Sequence, residues 1–457
     1  MSDAEVRSRE ARTLRLSFLA FFLLCSAIAL LRPVREAWGL EAGLERLPAM
    51  FWGTFGLTLL IVPLYARLVA RSERRRIVPL VMHAIAASLL LFHLALRFGL
   101  WRSLAGMAFF SWYSTLNLII VGAFWSLMAD VFRSEQGRRL FGTIAGGGSA
   151  GFIVGPLVAA HLGERIGLAN LLLVSVALLE GVAICVHVLL AGGRREGAPA
   201  VAAPARAARI AQPSAAPMAA RGRAPGDERL GGSIWAGLTA VASKPYLRLI
   251  AVQMLLTTSA ATVLYLIQAT IVARAASGTE QRLAIFAHID VWTNVVSMAV
   301  QLLATGPLLM RWGAGVPLRI AAGLLAVSLL LLARWPTVSM LKAVQALRRA
   351  SHYSLERPAL NLLYTVVSTE DKYKAKNVTD TVIYRAGDAG AAQLMAFIGF
   401  ATLATPVTCL LTLPLAAGGL WLAGALSRRH QMQERELQLP LETAGGLREP
   451  AAKERPA

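Results

Sequence analysis

Residues 16–36 read LSFLAFFLLCSAIALLRPVRE, an apolar run from Leu16 to Leu31 closed by Arg32, Pro33, Arg35 and Glu36. An α-helix rises about 1.5 Å per residue, so about 20 such residues cross the ~30 Å hydrocarbon core of a bilayer. No small-residue cleavage site follows the run, so it reads as a retained helix and not as a secretory leader. The pattern recurs along the chain. Apolar blocks separated by short charged segments give twelve expected spans at 14–37, 48–70, 77–96, 104–130, 141–161, 168–190, 246–273, 283–310, 316–333, 337–366, 378–403 and 405–427. The 457 residues are 56% hydrophobic and only 16% charged, whereas soluble globular chains carry about 25% charged residues. The expected class is an all-α polytopic membrane protein.

Charge placement organises these spans. Arginine and lysine crowd the N-terminus, the loops near Arg71–Arg76, Arg133–Arg139 and Lys372–Lys376, and the segment after Arg428. Alternation of basic loops places both termini in the cytoplasm, as an even span number also requires. The net charge of +20 therefore needs no nucleic-acid partner. Residues 191–233, rich in Ala, Pro and Arg, lack the bulky apolar residues of a core and read as a flexible cytoplasmic linker. The expected organisation is a six-helix bundle over 1–190, that linker, a second six-helix bundle over 234–430, and a disordered cytoplasmic tail over 431–457. The segments after spans 4 and 10 echo each other faintly. Two parallel six-helix repeats of this kind are the internal symmetry of major facilitator transporters.

An ion in hydrocarbon costs about 2.5 to 3.5 kcal/mol on insertion scales, so ionisable residues inside spans face a protein interior or a wet cavity. In span 10, Lys342, Gln345, Arg349, His352 and Glu356 recur at three- and four-residue steps on one helical face, with Arg348 and Arg357 beside them. Basic residues outnumber the single acid there. The excess suits an anion site; a buried network joining helices is the alternative. Arg32, Arg35 and Glu36 gather at the end of span 1, where Pro33 favours a bend and where arginines at an interface would snorkel. Span 11 contributes Asp380, Arg385 and Asp388, and span 8 contributes Asp290. Glu180 and His187 share a face of span 6.

Three further features have plainer readings. Gly142, Gly146, Gly151 and Gly155 form a small-residue stripe suited to close helix packing, with sliding of the seam as the functional alternative, and not a phosphate loop. Trp112 and Asn117 in span 4 offer a ring and an amide for stacking or polar contact; packing is the alternative for the ring. Cys25, Cys185 and Cys409 have no pair or metal-ligand spacing.

The stretch KAKNVTDTVIYRAGDAG, residues 374–390, resembles a segment of the non-mitochondrial ATP/ADP translocases and their free-living bacterial relatives, which reads roughly K-G-K-x-x-x-D-x-x-x-x-R-x-G-K-x-G. Lys374, Lys376, Asp380, Arg385, Gly387 and Gly390 match. Arg32, Arg35 and Glu36 resemble that family's charged residues at the end of the first helix. Asp388 departs from the pattern, placing an acid where the family has lysine, and Arg35 and Glu36 stand for a lysine and an aspartate. The major facilitator motif of the 2–3 and 8–9 loops is degraded, with Met310 at the acid position of the second. The resemblance implies a carrier of a small anionic solute such as ATP, ADP or another phosphorylated metabolite; the candidates to hold it are Arg32, Arg35 and Arg385 from the matched segments, with Lys342 and Arg349 from the stripe of span 10. Ion pairing or proton coupling would fall to Glu36, Asp290, His352, Glu356, Asp380 and Asp388. A monomer in the bacterial inner membrane, in contact with lipids and without a cofactor, is expected. The competing expectation is a proton-coupled facilitator of an unrelated solute, which Asp388 favours. No ATPase motif, HExxH or nucleophile–base set is legible, so an enzyme is not expected.

Overall fold

The computed structural model describes residues 3–71, 74–132, 134–194 and 234–445. Of the expected linker, residues 195–233 lie outside them, as do the last residues of the expected tail, 446–457; residues 191–194, expected in the linker, instead continue the helix that ends at Arg194. All the regular structure described is helical: α1 (Asp3–Glu41), α2 (Leu47–Arg71), α3 (Arg74–Arg97), α4 (Arg102–Val131), α5 (Ser134–Arg194), α6 (Ile234–Ser243), α7 (Pro245–Ala275), α8 (Thr279–Val300), α9 (Gly306–Trp312), α10 (Gly315–Arg334), α11 (Val338–Ser351), α12 (Arg357–Leu363), α13 (Thr369–Val378), α14 (Tyr384–Phe397) and α15 (Thr405–Gly445). In hydrocarbon every backbone polar group must be satisfied within the segment, and a helix does this where an open strand cannot.

Among the described residues, nine helices are long and apolar enough to cross a membrane. One of them, Arg139–Ala191, has 53 residues, about twice the length of a single crossing. It turns at Gly167, where φ is 79°, a left-handed value that side chains with a Cβ avoid. The expected spans 141–161 and 168–190 lie on either side of that turn. The segments expected at 337–366 and 378–403 are also helical, but each is interrupted by a π-helical stretch, His352–Glu356 and Thr379–Ile383. A third π stretch, Gln301–Thr305, joins α8 to α9. At the C-terminal end α15 runs on to Gly445, taking in residues 431–445 that the sequence reading placed in a disordered tail. Buried His430 anchors the base of this extension: Tyr246 and His430 Nδ1 lie 3.0 Å apart, and His430 Nε2 lies 3.3 Å from Glu434.

Helix α1 packs closely against the first half of α5. A Cβ on Gly147, Gly151 or Gly155 would overlap the carbonyl oxygens of Phe18, Phe22 and Ser26 respectively, and one on Gly148 would meet the Phe21 ring. Backbone is therefore packed on backbone along a four-residue repeat. Gly142 and Gly146 have open space where a Cβ would stand, so the seam uses Gly147 and Gly148 in their place. Cys25, Cys185 and Cys409 are buried free thiols. Helices before residue 195 meet those after 233 chiefly where α8 lies against α5 and α1, and where α14 lies against α2.

Candidate functional site

Folding brings the charged residues of α1, α8, α11 and α14 to the contact between these two sets of helices. Arg349, on the buried face of α11, donates from Nη1 to Asp290 Oδ1 at 2.6 Å, and Arg32 Nε stands 3.8 Å from the same oxygen. Arg35 is held on three sides: it pairs with Glu36, donates to Ser114 Oγ at 2.9 Å, and lies 4.5 Å above the Phe110 ring. Glu36 in turn accepts from the Tyr265 hydroxyl of α7 at 2.5 Å. Arg385 donates to the Ser114 carbonyl at 2.9 Å and to Asp388 Oδ2 at 3.4 Å, while Asp388 Oδ1 accepts from Thr262 at 2.8 Å. Arg32, Arg35, Arg349 and Arg385 thus each face a carboxylate. In a low-dielectric interior that pairing is what makes the charges tolerable.

The remaining acids form a second group. His352 Nδ1 lies 2.8 Å from Glu356 Oε2, and Glu356 Oε1 accepts from Thr257 at 2.8 Å. The π stretch that carries both residues makes room for them by widening the helix. Asp380, half-buried in the other π stretch, has Arg357 and Lys376 as its charged neighbours. Lys342 is half-buried and makes no ion pair among the described residues. Of the matched motif lysines, Lys374 pairs with Glu370 on its own helix. Asn117 is exposed, and Trp112 stacks among Phe92 and Phe109 with no ring contact to the charged residues. Glu180 meets His83 of α3 at 3.0 Å and not His187.

Reading the sequence missed the tyrosines and hydroxyls that complete the cluster. Tyr353 is 46% exposed although its chain neighbours His352, Ser354, Leu355 and Glu356 are buried, and Arg32 and Arg349 are among its charged neighbours. Tyr384 lies under two guanidinium groups, Arg357 at 5.6 Å and Arg385 at 5.5 Å from its ring centre. Tyr265, Thr257 and Thr262 supply the hydroxyls from α7. Their only sequence signal is the spacing of Thr257 and Thr262 within an apolar span, which a packing role also satisfies.

The hydrogen bonds and ring contacts that join the two sets of helices gather toward the end away from the chain termini. Glu41, at the close of α1, takes hydrogen bonds from Arg102 of α4 at 2.6 and 2.9 Å and from Thr279 at the start of α8. Phe51 meets Tyr265 edge-on at 5.5 Å.

No family model matches the chain, and no curated protein matches it in sequence. Solved structures do match in shape. A nucleoside transporter, NupG, superposes with a TM-score of 0.61 at 13% identity, over 91% of this chain and 99% of that one. A peptide transporter of the POT family, in an auto-inhibited state, gives 0.57 at 13% identity over 98% and 99%. The human organic anion transporter MFSD10 (TETRAN) gives 0.55 at 16% identity over 91% and 99%. The chain has the fold that these transporters share. These likenesses span nearly the whole chain and belong to proteins named for different solutes, so they carry the fold and not the substrate.

Proposed function

We propose that the chain is an alternating-access carrier of a small solute, coupled to protons, with its solute and coupling residues in the cluster around Arg32, Arg35, Asp290, Arg349, Arg385 and Asp388. One observation supports this reading above others: the arginines at the contact between the helix sets, Arg349 buried and Arg32, Arg35 and Arg385 half-buried, are matched by buried carboxylates. Protonating one carboxylate frees the guanidinium it holds, and several of these guanidiniums and tyrosines also touch the opposite helix set. Arg385 on Ser114, Glu36 on Tyr265 and Arg32 beside Asp290 are such ties. A proton added at Asp388 would therefore loosen a contact that must break when the cavity changes sides.

In this reading the twelve helical segments form two six-helix bundles, 1–190 and 234–430, in the bacterial inner membrane with both termini cytoplasmic. Glu41 and its partners then lie on the outer side and close it, leaving Tyr353 and Arg32 open toward the cytoplasm. A second reading, an anion exchanger for nucleotides or other phosphorylated metabolites, draws on Arg348 and Arg349. Arg348 Nε and Arg349 Nε and Nη2 are buried donors without a hydrogen-bond partner. A phosphate or carboxylate would satisfy the Arg349 pair side-on.

Purified protein in liposomes distinguishes the two readings, using labelled nucleosides, nucleotides, peptides and carboxylates. Accumulation into empty vesicles driven by acid outside is the expected result. Uptake that requires an internal counter-solute and ignores the gradient would hand the function to the exchanger. No flux of any solute by well-folded protein would overturn the carrier reading.

A further inference from the structure

A small polar chamber lies within the second helix set, away from the contact where the paired arginines meet. It is lined by Gln253 and Thr257 of α7, Arg348 and Ser351 of α11, Glu356, and an apolar wall from α10 and α15 that includes Leu325 and Gly419. It has room for about one water, the least that a polar cavity needs to be hydrated. Gln253 is 1% exposed, and its Oε1 has no hydrogen-bond partner although its Nε2 reaches Thr257 at 3.4 Å. Arg348 Nε is likewise buried and unpartnered. A buried acceptor and a buried donor on residues that line one small chamber, beside a carboxylate, is an arrangement that can hold a water.

We infer that this chamber is a proton-loading site, in which a water held by Gln253 and Arg348 delivers a proton to Glu356 by a route separate from the solute cavity. The inference rests on the proton-coupled reading above and adds to its step at Asp388 a second carboxylate, Glu356, at which a proton is first taken up. The groups facing Glu356 are His352 on its own turn, Thr257 from α7 and Arg348 from α11, with Arg357 adjacent in sequence; α10 and α15 present no ionisable lining residue. In the step, hydronium in the chamber gives its proton to Glu356 Oε1 and leaves as water. Thr257, which had donated to that oxygen, turns its hydroxyl away. The carboxylate becomes neutral, His352 loses its charged acceptor, and Arg348 loses its counter-charge. Arg348 and His352 are then free to repartner along the same helix that carries Arg349, which links the chamber to the solute cluster.

The test reads protonation directly and needs no solute. Infrared difference spectra of the detergent-purified protein, titrated in pH, should show a protonated carboxylic-acid band that is missing in Glu356→Gln and present in Asp388→Asn. Gln253→Leu should move the midpoint of that band by about one pH unit, the size of a lost hydrogen bond near a carboxylate. Gly419→Leu, which fills the chamber without removing a polar group, should shift it as well. If Glu356→Gln does not fold, Glu356→Asp must still move the band, because it withdraws the carboxyl from the chamber. A band unchanged by every Glu356 and Gln253 variant, or one lost only in Asp388→Asn, would overturn the proposal. If uptake proves indifferent to protons while the Glu356 band behaves as described, the transport reading fails and the proton site stands. Proton-driven uptake with no Glu356 band would fail the site alone.

Discussion

Arg349 and Asp290 set the terms at the level of single residues. Removing one partner of a buried ion pair leaves the other charge uncompensated, at a cost of about 3 to 5 kcal/mol. Arg349→Ala is expected to lower the thermal midpoint of the purified protein sharply, and Asp290→Asn in the same chain should recover much of the loss. Arg35 behaves differently. It has Glu36, Ser114 and the Phe110 ring as separate partners. Arg35→Lys keeps the charge but gives up the planar fork and the stacking, so solute binding should weaken more than stability does. A binding titration beside a melting curve separates the two. Equal losses in both would point to a structural role only.

Among the elements, the seam between α1 and α5 makes the clearest contrast. Gly151 and Gly155 have the α1 backbone where a Cβ would go, so Gly151→Val or Gly155→Val should cost at least the 1 to 3 kcal/mol of an overpacked core and reduce folded yield. Gly142→Ala and Gly146→Ala meet open space and should be neutral or gain roughly 0.5 to 1 kcal/mol from helix propensity. Size-exclusion profiles and melting curves of the four variants read this out.

The short helix α13 makes a smaller case. The Ser368 hydroxyl caps it by accepting the Asp371 N–H, and Lys244 and Ser368 together hold the Asp371 carboxyl below the ordinary carboxylate range. A depressed value means that this contribution is present above the ordinary range and is lost as pH falls through the lowered one. Asp371 is half-buried but its partner Lys244 is exposed to solvent, which screens the pair, so the effect is small. Ser368→Ala should cost about 1 kcal/mol locally, visible as faster amide exchange over 369–378 without a change in global melting.

At the scale of the whole molecule, the contacts around Glu41 predict which face is closed. A disulfide between Glu41→Cys and Thr279→Cys should form readily and stop turnover, because it joins α1 to α8 at the end where the helix sets touch. Tyr353→Cys should react with a membrane-impermeant thiol reagent from the terminal side of the protein while that cross-link is in place. Labelling from the opposite side alone would reverse the assignment of open and closed faces.

The sequence by itself determined the class of molecule and most of its helices, because the need to bury apolar surface and to satisfy every backbone group in hydrocarbon is written residue by residue. It also picked out Arg32, Arg35, Asp290, Arg349, Arg385 and Asp388, since an ion inside an apolar run is conspicuous in one dimension. Their arrangement was not legible. Span 10 read alone has a basic excess that suits an anion, whereas the folded chain brings Asp290 from α8 to Arg349, a pairing between helices that no single span shows; Asp388 meets Arg385 one turn away on its own helix. The same limit hid Tyr265, Tyr353 and Thr257, which look like ordinary span residues until a neighbouring helix supplies a charge beside them. The stripe of glycines was visible as a spacing, but only packing decided that Gly147 and Gly148, and not Gly142 and Gly146, meet α1. Hydropathy is a property of each residue, whereas electrostatic complementarity and close packing depend on which helices become neighbours, and only the tertiary structure decides that.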